Sequence, residues 1–344
     1  MISENRSNQI QKKLLLWFQK NGRHHLPWRK SFSAYEVLVS EFMLQQTTVK
    51  TIIPRFQKWM ELFPSIETLA DASEERVLSA WQGLGYYARA RRLHALSKIV
   101  QEKYAGVLPN NLEKLLALPG IGPYSANAIL AFAFDQPVEV LDTNIIRILV
   151  RLNNIRERID TKRGRSLLQE AARSLRPVEK GRSFTSALMD LGATICKALD
   201  PQCKSCPLSS ECTAEDPLTL PYQEPRLAVI KKSEQRAFYY RKNKVYLERS
   251  EGPHWRGLWI LPRSSTPQDS STMTASLLYP ITRYRVTMEL YSLRGPIPPS
   301  LHPFAEEELK SIAIPSPHRR ALNLLLKKDH SSEKTPKKNS LWNK

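Results

Sequence analysis

Two carboxylates stand in sequence settings that suit opposite halves of an acid–base reaction. Glu41 lies late in a predicted helix over residues 34–44, one turn beyond Val37 and Leu38. On that apolar face the acid should be partly desolvated, which raises the pKa of its carboxyl and prepares it to donate a proton. Asp142 is predicted to cap the start of another helix, where backbone N–H groups and the helix dipole favour its ionised form.

A protonated acid and an anion are the pair that cleavage of a glycosidic bond requires. One protonates the leaving group, and the other faces the developing oxocarbenium ion. Plainer alternatives stay open at this point. In these, Asp142 is only an N-cap and Glu41 is only the partner of an arginine.

All four cysteines fall within residues 196–212, spaced Cys196-x6-Cys203-x2-Cys206-x5-Cys212. A disulfide framework would be scattered along the chain, and a reducing cytosol would not keep it oxidised. Four thiolates in one compact loop indicate a metal, either zinc or an iron–sulfur cluster. Zinc sites commonly use two close C-x2-C pairs, whereas this loop has one such pair with wider arms.

A glycine hairpin at residues 118–122, Leu-Pro-Gly-Ile-Gly, precedes a predicted helix that starts with Pro123. Gly120 and Gly122 permit a turn tight enough to bring backbone N–H groups close to a ligand. Those groups and the helix N-terminus can hold a phosphate, often with a bound cation, and such contacts set register without reading sequence.

The composition points to a nucleic-acid partner. The 344-residue chain carries a net charge of +19, which favours a polyanion over the alternative of solubility alone. No apolar run approaches the roughly 20 residues of a membrane span, and the N-terminus lacks the core of a signal peptide. We therefore expect a cytoplasmic, nucleoid-associated protein.

The chain changes character after its last cysteine. The region before it predicts helix after helix, so it is expected to be all-α, whereas short β-type runs begin at Ala237 and predict a small α+β domain. Short helices are also predicted near residues 305–311 and 317–326. The predicted parts are residues 1–213 (helical, with the cysteine loop at 196–212), 214–232 (linker), 233–327 (α+β) and 328–344 (disordered basic tail).

Several segments resemble, in order, those of the MutY family of adenine DNA glycosylases, within the helix-hairpin-helix, endonuclease III superfamily. They are residues 40–47 (SEFMLQQT), 83–91 (GLGYYARAR), the hairpin, 141–144 (LDTN) and the four cysteines. The match covers about residues 10–220, and the first of these segments is the most specific. The resemblance implies a mainly α protein: a two-module all-α helix-hairpin-helix glycosylase domain followed by a Nudix-like C-terminal domain. It also implies an enzyme that removes adenine mispaired with 8-oxoguanine, or guanine, in base excision repair.

The resemblance also assigns roles by position. Glu41 would protonate the adenine ring, Asp142 would stabilise or transiently bond the sugar C1′, and Asn144 would help to order the site. Tyr124 stands where bifunctional endonuclease III relatives carry a lysine. A lysine amine can form a Schiff base with the opened sugar and cut the strand, which a phenol cannot, so a monofunctional glycosylase is implied.

Base flipping implies a second set of residues. The family would use Gln46 and Tyr86 to fill and wedge the duplex where the adenine leaves. Leu26 and Trp28 resemble the wall of the family's base pocket. For Tyr86 and Trp28, packing in an ordinary core is the alternative. Thr143 departs from the glycine that is frequent in the family.

The cysteine spacing is that of the four-iron four-sulfur loop in endonuclease III and MutY glycosylases. One such cluster is therefore implied, held by Cys196, Cys203, Cys206 and Cys212 in a structural role. A monovalent or calcium ion at the hairpin is a further expectation. The implied partner is double-stranded DNA with an adenine:8-oxoguanine or adenine:guanine mispair, bound by a monomer and without a membrane.

The C-terminal domain leaves lesion recognition open. Residues 254–262 (HWRGLWILP) resemble the Nudix-related domain of the family, but residues 263–272 lack the glutamates that nucleotide hydrolysis needs. In the family a Phe-Ser-His segment helps to recognise 8-oxoguanine. The aligned residues here are Ile281-Thr282-Arg283, in which only the hydroxyl of Thr282 is kept, so we expect this recognition to be altered.

Two other functions are alternatives. One is an endonuclease III-like glycosylase and lyase acting on oxidised pyrimidines, which Tyr124 and the C-terminal domain disfavour. The other is a catalytically silent iron–sulfur DNA-binding protein, which the presence of both Glu41 and Asp142 disfavours.

Overall fold

The computed structural model describes residues 3–222, 228–264 and 273–333, and within these ranges the chain forms twelve α-helices and seven strands. The helices are α1 (Glu4–Asn21), α2 (Ala34–Leu44), α3 (Val49–Leu62), α4 (Ile66–Ala70), α5 (Glu74–Ala80), α6 (Ala88–Tyr104), α7 (Leu112–Leu116), α8 (Pro123–Phe132), α9 (Thr143–Leu152), α10 (Lys162–Leu175), α11 (Gly181–Thr194) and α12 (Ser316–Glu333). The strands are β1 (Ile230–Phe238), β2 (Tyr240–Arg241), β3 (Lys244–Arg249), β4 (Trp259–Ile260), β5 (Ala275–Ile281), β6 (Tyr284–Ser292) and β7 (His302–Ala305).

The chain divides into two compact units. The first contains the described residues up to Asp71 and from Arg92 to Tyr222, and the second contains Ala72–Arg91 and the described residues from Ala228 onward. The grouping of Ala72–Arg91 with the C-terminal part differs from the domain boundaries that the sequence predicted. Within the second unit, the hydroxyl of Ser79 donates to the carbonyl of Ser311 at 2.6 Å.

The first unit is all-α, as predicted. The N-termini of α8 and α9 lie at the same cavity as α2. The predicted helix over residues 34–44 is confirmed, and the Ser33 hydroxyl caps it by accepting from the Glu36 N–H at 3.2 Å. Helix α11 packs against α1, α8 and α9, while α2 packs against α3 and α8. The core between them contains fully buried aliphatic side chains such as Leu38 and Val150.

The hairpin between α7 and α8 depends on only one of its two glycines for a left-handed conformation. Gly120 has φ +84°, and a Cβ there would lie 2.9 Å from the Cβ of Arg92. Gly122 is extended, with φ −100°, and caps α8, whose first residue is Pro123. The close approach at Gly120 explains why a side chain is excluded there.

The second unit is α+β, as predicted. In a three-stranded sheet, β1 runs parallel to β6 and β5 runs antiparallel to β6, while β3 pairs with β2, β4 and β7 in a second sheet. Helix α12 closes a core that includes Val245, Met288 and Leu325.

Two predictions for the C-terminal part were wrong in detail. The helix predicted near residues 305–311 is reduced to a 3-10 turn at Glu308–Lys310, because His302–Ala305 pairs with β3 as a strand. The predicted tail is helical up to Glu333, since α12 has no proline or glycine after Pro317 in its first turn. Residues 334–344 lie outside the described residues. Among the described helices, none is long and apolar enough to cross a membrane.

Candidate active site

A cavity of about 570 Å³ lies in the first unit, between α2, α8, the N-terminus of α9 and α11. It collects most of the residues that the sequence singled out for catalysis and base binding. Those that line it are Leu26, Trp28, Glu41, Gln46, Tyr124, Asp142, Thr143 and Asn144. Its size is that of a site for a small organic ligand.

Glu41 is buried at the wall of this cavity, with 5% of its surface exposed. The pKa of its carboxyl is raised to about 7, chiefly by burial; a hydrogen bond with Tyr124 opposes the rise and the charge of Asp142 contributes to it. The desolvation predicted from the apolar face of α2 is therefore confirmed. Below neutral pH, Glu41 is a protonated acid facing the cavity.

Tyr124 follows Pro123 in the first turn of α8. Burial, followed by the charges of Glu41 and Asp142, raises the pKa of its phenol above its ordinary value. Since the phenol stays protonated, it can donate the hydrogen bond that it shares with Glu41.

Asp142 is the N-cap of α9, as predicted. Its Oδ1 accepts from the backbone N–H of Ile145 at 2.6 Å, and its Oδ2 accepts from Nδ2 of Asn144 at 2.9 Å. Both carboxylate oxygens are thus held by donors, which fixes the anion at the cavity wall beside the helix N-terminus.

Arg147 connects the Asp142–Asn144 pair to the cysteine loop. The sequence analysis did not identify this arginine as a site residue. Its Nη2 donates to Oδ1 of Asn144 at 2.8 Å and to the carbonyl of Gly192 at 2.7 Å, and its Nε donates to the carbonyl of Cys196 at 2.8 Å. A Cβ at Gly192 would lie 2.6 Å from the Cβ of Asn144, so α11 can approach only because this residue is glycine. The available signal was an arginine three residues after Asn144, on the same face of α9.

The four cysteines share the loop that follows α11. Arg151, 2% exposed, donates to Sγ of Cys196 at 3.4 Å and to the carbonyl of Lys197 at 2.7 Å. The pKa of the Cys206 thiol is raised to about 11, chiefly by burial and to a smaller extent by the other three cysteines, while a backbone hydrogen bond from Leu208 opposes the rise. In the part of the chain that the structure describes, no group of three or more His, Cys, Asp or Glu side chains is arranged to hold a metal ion.

The family is shown by sequence comparison. Residues 39–174 match the HhH-GPD superfamily of base excision DNA repair proteins. The chain is 36% identical over 269 residues to the adenine DNA glycosylase of Buchnera aphidicola subsp. Acyrthosiphon pisum (strain APS), an alignment that covers 75% of each chain. The chain belongs to the adenine DNA glycosylase family. The family resemblance proposed from the sequence is thereby confirmed.

Other members of the adenine DNA glycosylase family are similar over a shorter part of the chain. The Mycolicibacterium smegmatis enzyme is 42% identical over 197 residues, 57% of this chain and 66% of that one. Two solved structures share the fold at 24% identity: a thermostable thymine-DNA glycosylase (TM-score 0.53, 61% of this chain and 96% of that one) and a non-covalent endonuclease III–DNA complex (TM-score 0.52, 62% and 96%). These likenesses confirm the predicted helix-hairpin-helix glycosylase fold and a mainly α chain.

The other predicted residues lie outside this cavity. Gly120 and Gly122 form the hairpin, whereas Tyr86 and Thr282 belong to the second unit. Tyr86 is 47% exposed and adopts φ +47°, so the alternative of a core aromatic is wrong. Trp28 both lines the cavity and packs edge-on against Phe56, with ring centroids 5.5 Å apart.

Proposed function

We propose that this chain excises adenine from double-stranded DNA, opposite 8-oxoguanine or guanine, as a monofunctional glycosylase of base excision repair. The observation that carries the proposal is the buried acid Glu41 across one cavity from the capped carboxylate of Asp142. Its relatives are named adenine DNA glycosylases. A base must leave the duplex to enter such a cavity, and the cavity volume suits one purine.

In the proposed reaction, Glu41 gives its proton to a ring nitrogen of adenine while the bond between C1′ and the base breaks. The bonding electrons leave with the base, which the proton neutralises. Asp142 stabilises the positive charge left on the sugar, and a water then adds to C1′, losing its proton to the Glu41 carboxylate. Asn144 holds the Asp142 carboxylate in position through the 2.9 Å hydrogen bond.

Tyr124 supports the monofunctional part of the proposal. The phenol at this position is not a nucleophile that can form a Schiff base with the opened sugar. Strand breaks should therefore depend on added alkali rather than on the enzyme.

The proposal includes a four-iron four-sulfur cluster held by Cys196, Cys203, Cys206 and Cys212. The fit is supported by the donor set, four thiols on one loop close enough to shift the pKa of Cys206. When bound, the cluster would fix the loop to which Arg147 and Arg151 donate hydrogen bonds. The iron and acid-labile sulfide content of the purified protein tests this, and stoichiometric zinc without iron would contradict it.

Single-turnover cleavage of duplexes with adenine opposite 8-oxoguanine, guanine or thymine tests the function, with alkali added after the reaction. We expect alkali-dependent breaks at adenine that Glu41→Gln abolishes. Glu36→Gln, the same substitution on the same helix outside the cavity, is the matched control and should retain the activity. Similar rates of adenine excision opposite 8-oxoguanine and guanine would contradict only the preference for the lesion and would leave the proposed glycosylase activity intact. Absence of adenine release from every duplex would overturn the proposal.

A cation at the hairpin, the monomeric state, the cytoplasmic location and the Nudix-like relationship of the second unit stay predictions. So does the role of Gln46, which adopts φ +57° at the cavity mouth.

A further inference from the structure

Phe32 lines the active-site cavity and has a strained backbone. It lies between the 3-10 turn at Pro27–Arg29 and the start of α2, and its φ is +54°. A positive φ is an outlier for a residue with a bulky side chain, and such strain persists only where the surrounding structure imposes it. The ring is half-buried, so packing in the core of the first unit does not account for this conformation. Strained residues of this kind are common where a protein holds a ligand.

Arg182, near the start of α11, holds the ring of Phe32 in place. Its guanidinium carbon lies 4.6 Å from the centre of the ring. Nη2 of Arg182 donates to the carbonyl of Ala133 at 2.9 Å, and Nε donates to the carbonyl of Phe132. The backbone N–H of Arg182 donates to Oδ1 of Asp135 at 2.7 Å. The cation is therefore fixed at the C-terminus of α8, where the helix dipole favours positive charge, and it stabilises the ring against it.

Helix α2 runs along the cavity between Phe32 and Glu41. Both residues line the cavity, as does Val37, which lies one turn before Glu41 on the same face of the helix. From Ala34, the first residue of α2, to Glu41 the helix rises about 10 Å. The ring of Phe32 and the acid therefore lie at different positions along the cavity.

Helix α8 places the same groups in the same order. Tyr124 in its first turn forms a hydrogen bond with Glu41, whereas the carbonyl of its last residue, Phe132, accepts from Arg182 beside Phe32. Both Tyr124 and Phe132 line the cavity. The two helices therefore place the acid and the phenol in one part of the cavity and the ring of Phe32 in the opposite part.

The chemistry of the proposed reaction decides which part of the base lies towards Phe32. The bond that breaks joins C1′ of the sugar to a nitrogen of the five-membered ring of adenine. Asp142, the proposed partner of the sugar, lies close enough to Glu41 and Tyr124 for its charge to raise the pKa of both groups. The five-membered ring is thus held near these groups, and the six-membered ring extends along α2 towards Phe32. The six-membered ring carries N6 and C2, the positions at which purine bases differ.

We propose that Phe32 forms the end wall of the base cavity and limits the size of the purine edge that the cavity accepts. Arg182 is the positioning residue that holds this wall. The inference rests on the proposed function, because it takes adenine as the base in the cavity. A purine with an added group at N6 or C2 meets the ring of Phe32 and is excised slowly.

Single-turnover excision of three purines, each placed opposite guanine in a duplex, tests the proposal. The purines are adenine, N6-methyladenine and 2,6-diaminopurine, of which the last two carry one extra group on the six-membered ring. An apolar pocket discriminates against one extra group by about 10- to 200-fold. Phe32→Ala removes the wall, so the rate for at least one extended purine, divided by the rate for adenine, should rise about tenfold or more.

A second variant separates loss of the ring from misfolding. Glycine adopts a positive φ without strain, so Phe32→Gly removes the ring and relieves the backbone at the same time. Both Phe32 variants should raise the relative rate for the same extended purine. Phe304→Ala, which removes a half-buried ring of the second unit, is the matched control and should leave the relative rates unchanged.

The outcomes distinguish this inference from the proposed function. Unchanged relative rates in both Phe32 variants, with adenine still excised, would overturn the inference and leave the proposed function intact. Loss of all excision by both folded variants would overturn it too, because the ring would then be required for adenine itself. Absence of adenine release by the wild-type protein would overturn both proposals.

The relative rates also test the positioning role of Arg182. Arg182→Met removes the cation from the ring and the hydrogen bonds to α8, so the relative rate for the extended purine should rise, although less than in Phe32→Ala. Arg182→Lys keeps a positive charge that can lie over the ring and should raise the relative rate less than Arg182→Met. A merely structural arginine would affect stability and slow all three purines equally, and that result would contradict the positioning role.

Discussion

Arg29 donates two parallel hydrogen bonds to Asp190, from Nη1 to Oδ2 at 2.7 Å and from Nη2 to Oδ1 at 3.1 Å. Arg23 adds its backbone N–H at 2.8 Å and its Nε at 2.7 Å to the same carboxylate, which is fully buried. Asp190 on α11 therefore binds both ends of the segment 23–29. This segment contributes Leu26 and Trp28 to the wall of the cavity.

Replacing Asp190 with asparagine should destabilise the protein. Burial alone would raise the pKa of this carboxyl, but the hydrogen bonds and charges of Arg29 and Arg23 outweigh burial and lower it. The stabilisation is therefore complete above the ordinary pKa of about 3.9 and is lost as the pH falls through the lower folded-state value. We expect Asp190→Asn to cost about 3–5 kcal/mol at neutral pH, because it leaves two arginines without their buried partner.

Urea unfolding at pH 7 measures this cost. Asp160→Asn, which breaks an exposed ion pair with Arg158, is the matched control and should have little effect. A loss for Asp190→Asn no larger than for the control would show that the pair does not hold the cavity wall.

Glu41 should make the folded protein less stable as the pH rises. Its carboxyl has a pKa of about 7 in the folded protein, against an ordinary value of 4.5, so the folded state binds the proton more tightly. Stability is therefore lost between these two values as the pH increases. Glu41→Gln removes this penalty and should be more stable than wild type by about 3 kcal/mol at pH 8, with little difference at pH 4. Urea unfolding at both values checks this, and equal stability at pH 8 would contradict the raised pKa.

The same pKa sets the expected pH dependence of adenine excision. The proposed acid carries its proton below pH 7, so the single-turnover rate should fall as the pH rises through about 7. Rates measured with saturating enzyme between pH 5 and 9 test this, because saturation removes the contribution of DNA binding. A rate that rises with pH across this interval would exclude Glu41 as the acid.

Local rules sufficed to predict the parts of the site that depend on neighbouring residues. Asp142 is predictable as an N-cap because capping joins residues two or three positions apart along the chain. Glu41 was recognised as desolvated because its place on an apolar helix face follows from the helical period.

Contacts between residues distant in sequence could not be predicted in this way. Arg147 is buried against the carbonyls of residues 45 to 49 positions away in the sequence. Asp190 is buried against Arg23 and Arg29, which lie more than 160 positions away. His302–Ala305 becomes a strand because β3, more than fifty residues earlier, offers it a pairing edge. A short sequence window contains neither partner.

Asp142→Asn separates the capping role of this residue from its proposed catalytic role. Asparagine also caps helices well, so it can still accept from the Ile145 N–H, and stability should change by less than about 1 kcal/mol. It lacks the negative charge that would face the sugar, so excision should slow by about a thousandfold or more. Urea unfolding and single-turnover rates on the same sample measure both effects. Normal excision would leave Asp142 as an N-cap only.

Arg89 supports the exposed Tyr86 from within the second unit. Its Nη2 donates to the carbonyls of Leu84 at 3.0 Å and Gly85 at 3.2 Å, and its guanidinium carbon lies 5.3 Å from the Trp81 ring and 5.8 Å from the Tyr86 ring. Burial lowers the pKa of this guanidinium to about 10, and it remains charged at neutral pH. The planar group thus holds the turn that presents Tyr86 at a positive φ.

Arg89→Lys should therefore impair the step that Tyr86 is proposed to assist, the opening of the duplex. Lysine keeps the charge but cannot donate to two carbonyls while stacked between two rings. Losing about 1.4 kcal/mol of this support would slow excision about tenfold on a fully paired duplex. On a duplex whose adenine faces an abasic site, there is no pairing to open and the rate should stay near wild type. Arg163→Lys, at an exposed arginine, is the control, and equal slowing of Arg89→Lys on both duplexes would assign Arg89 to general stability instead.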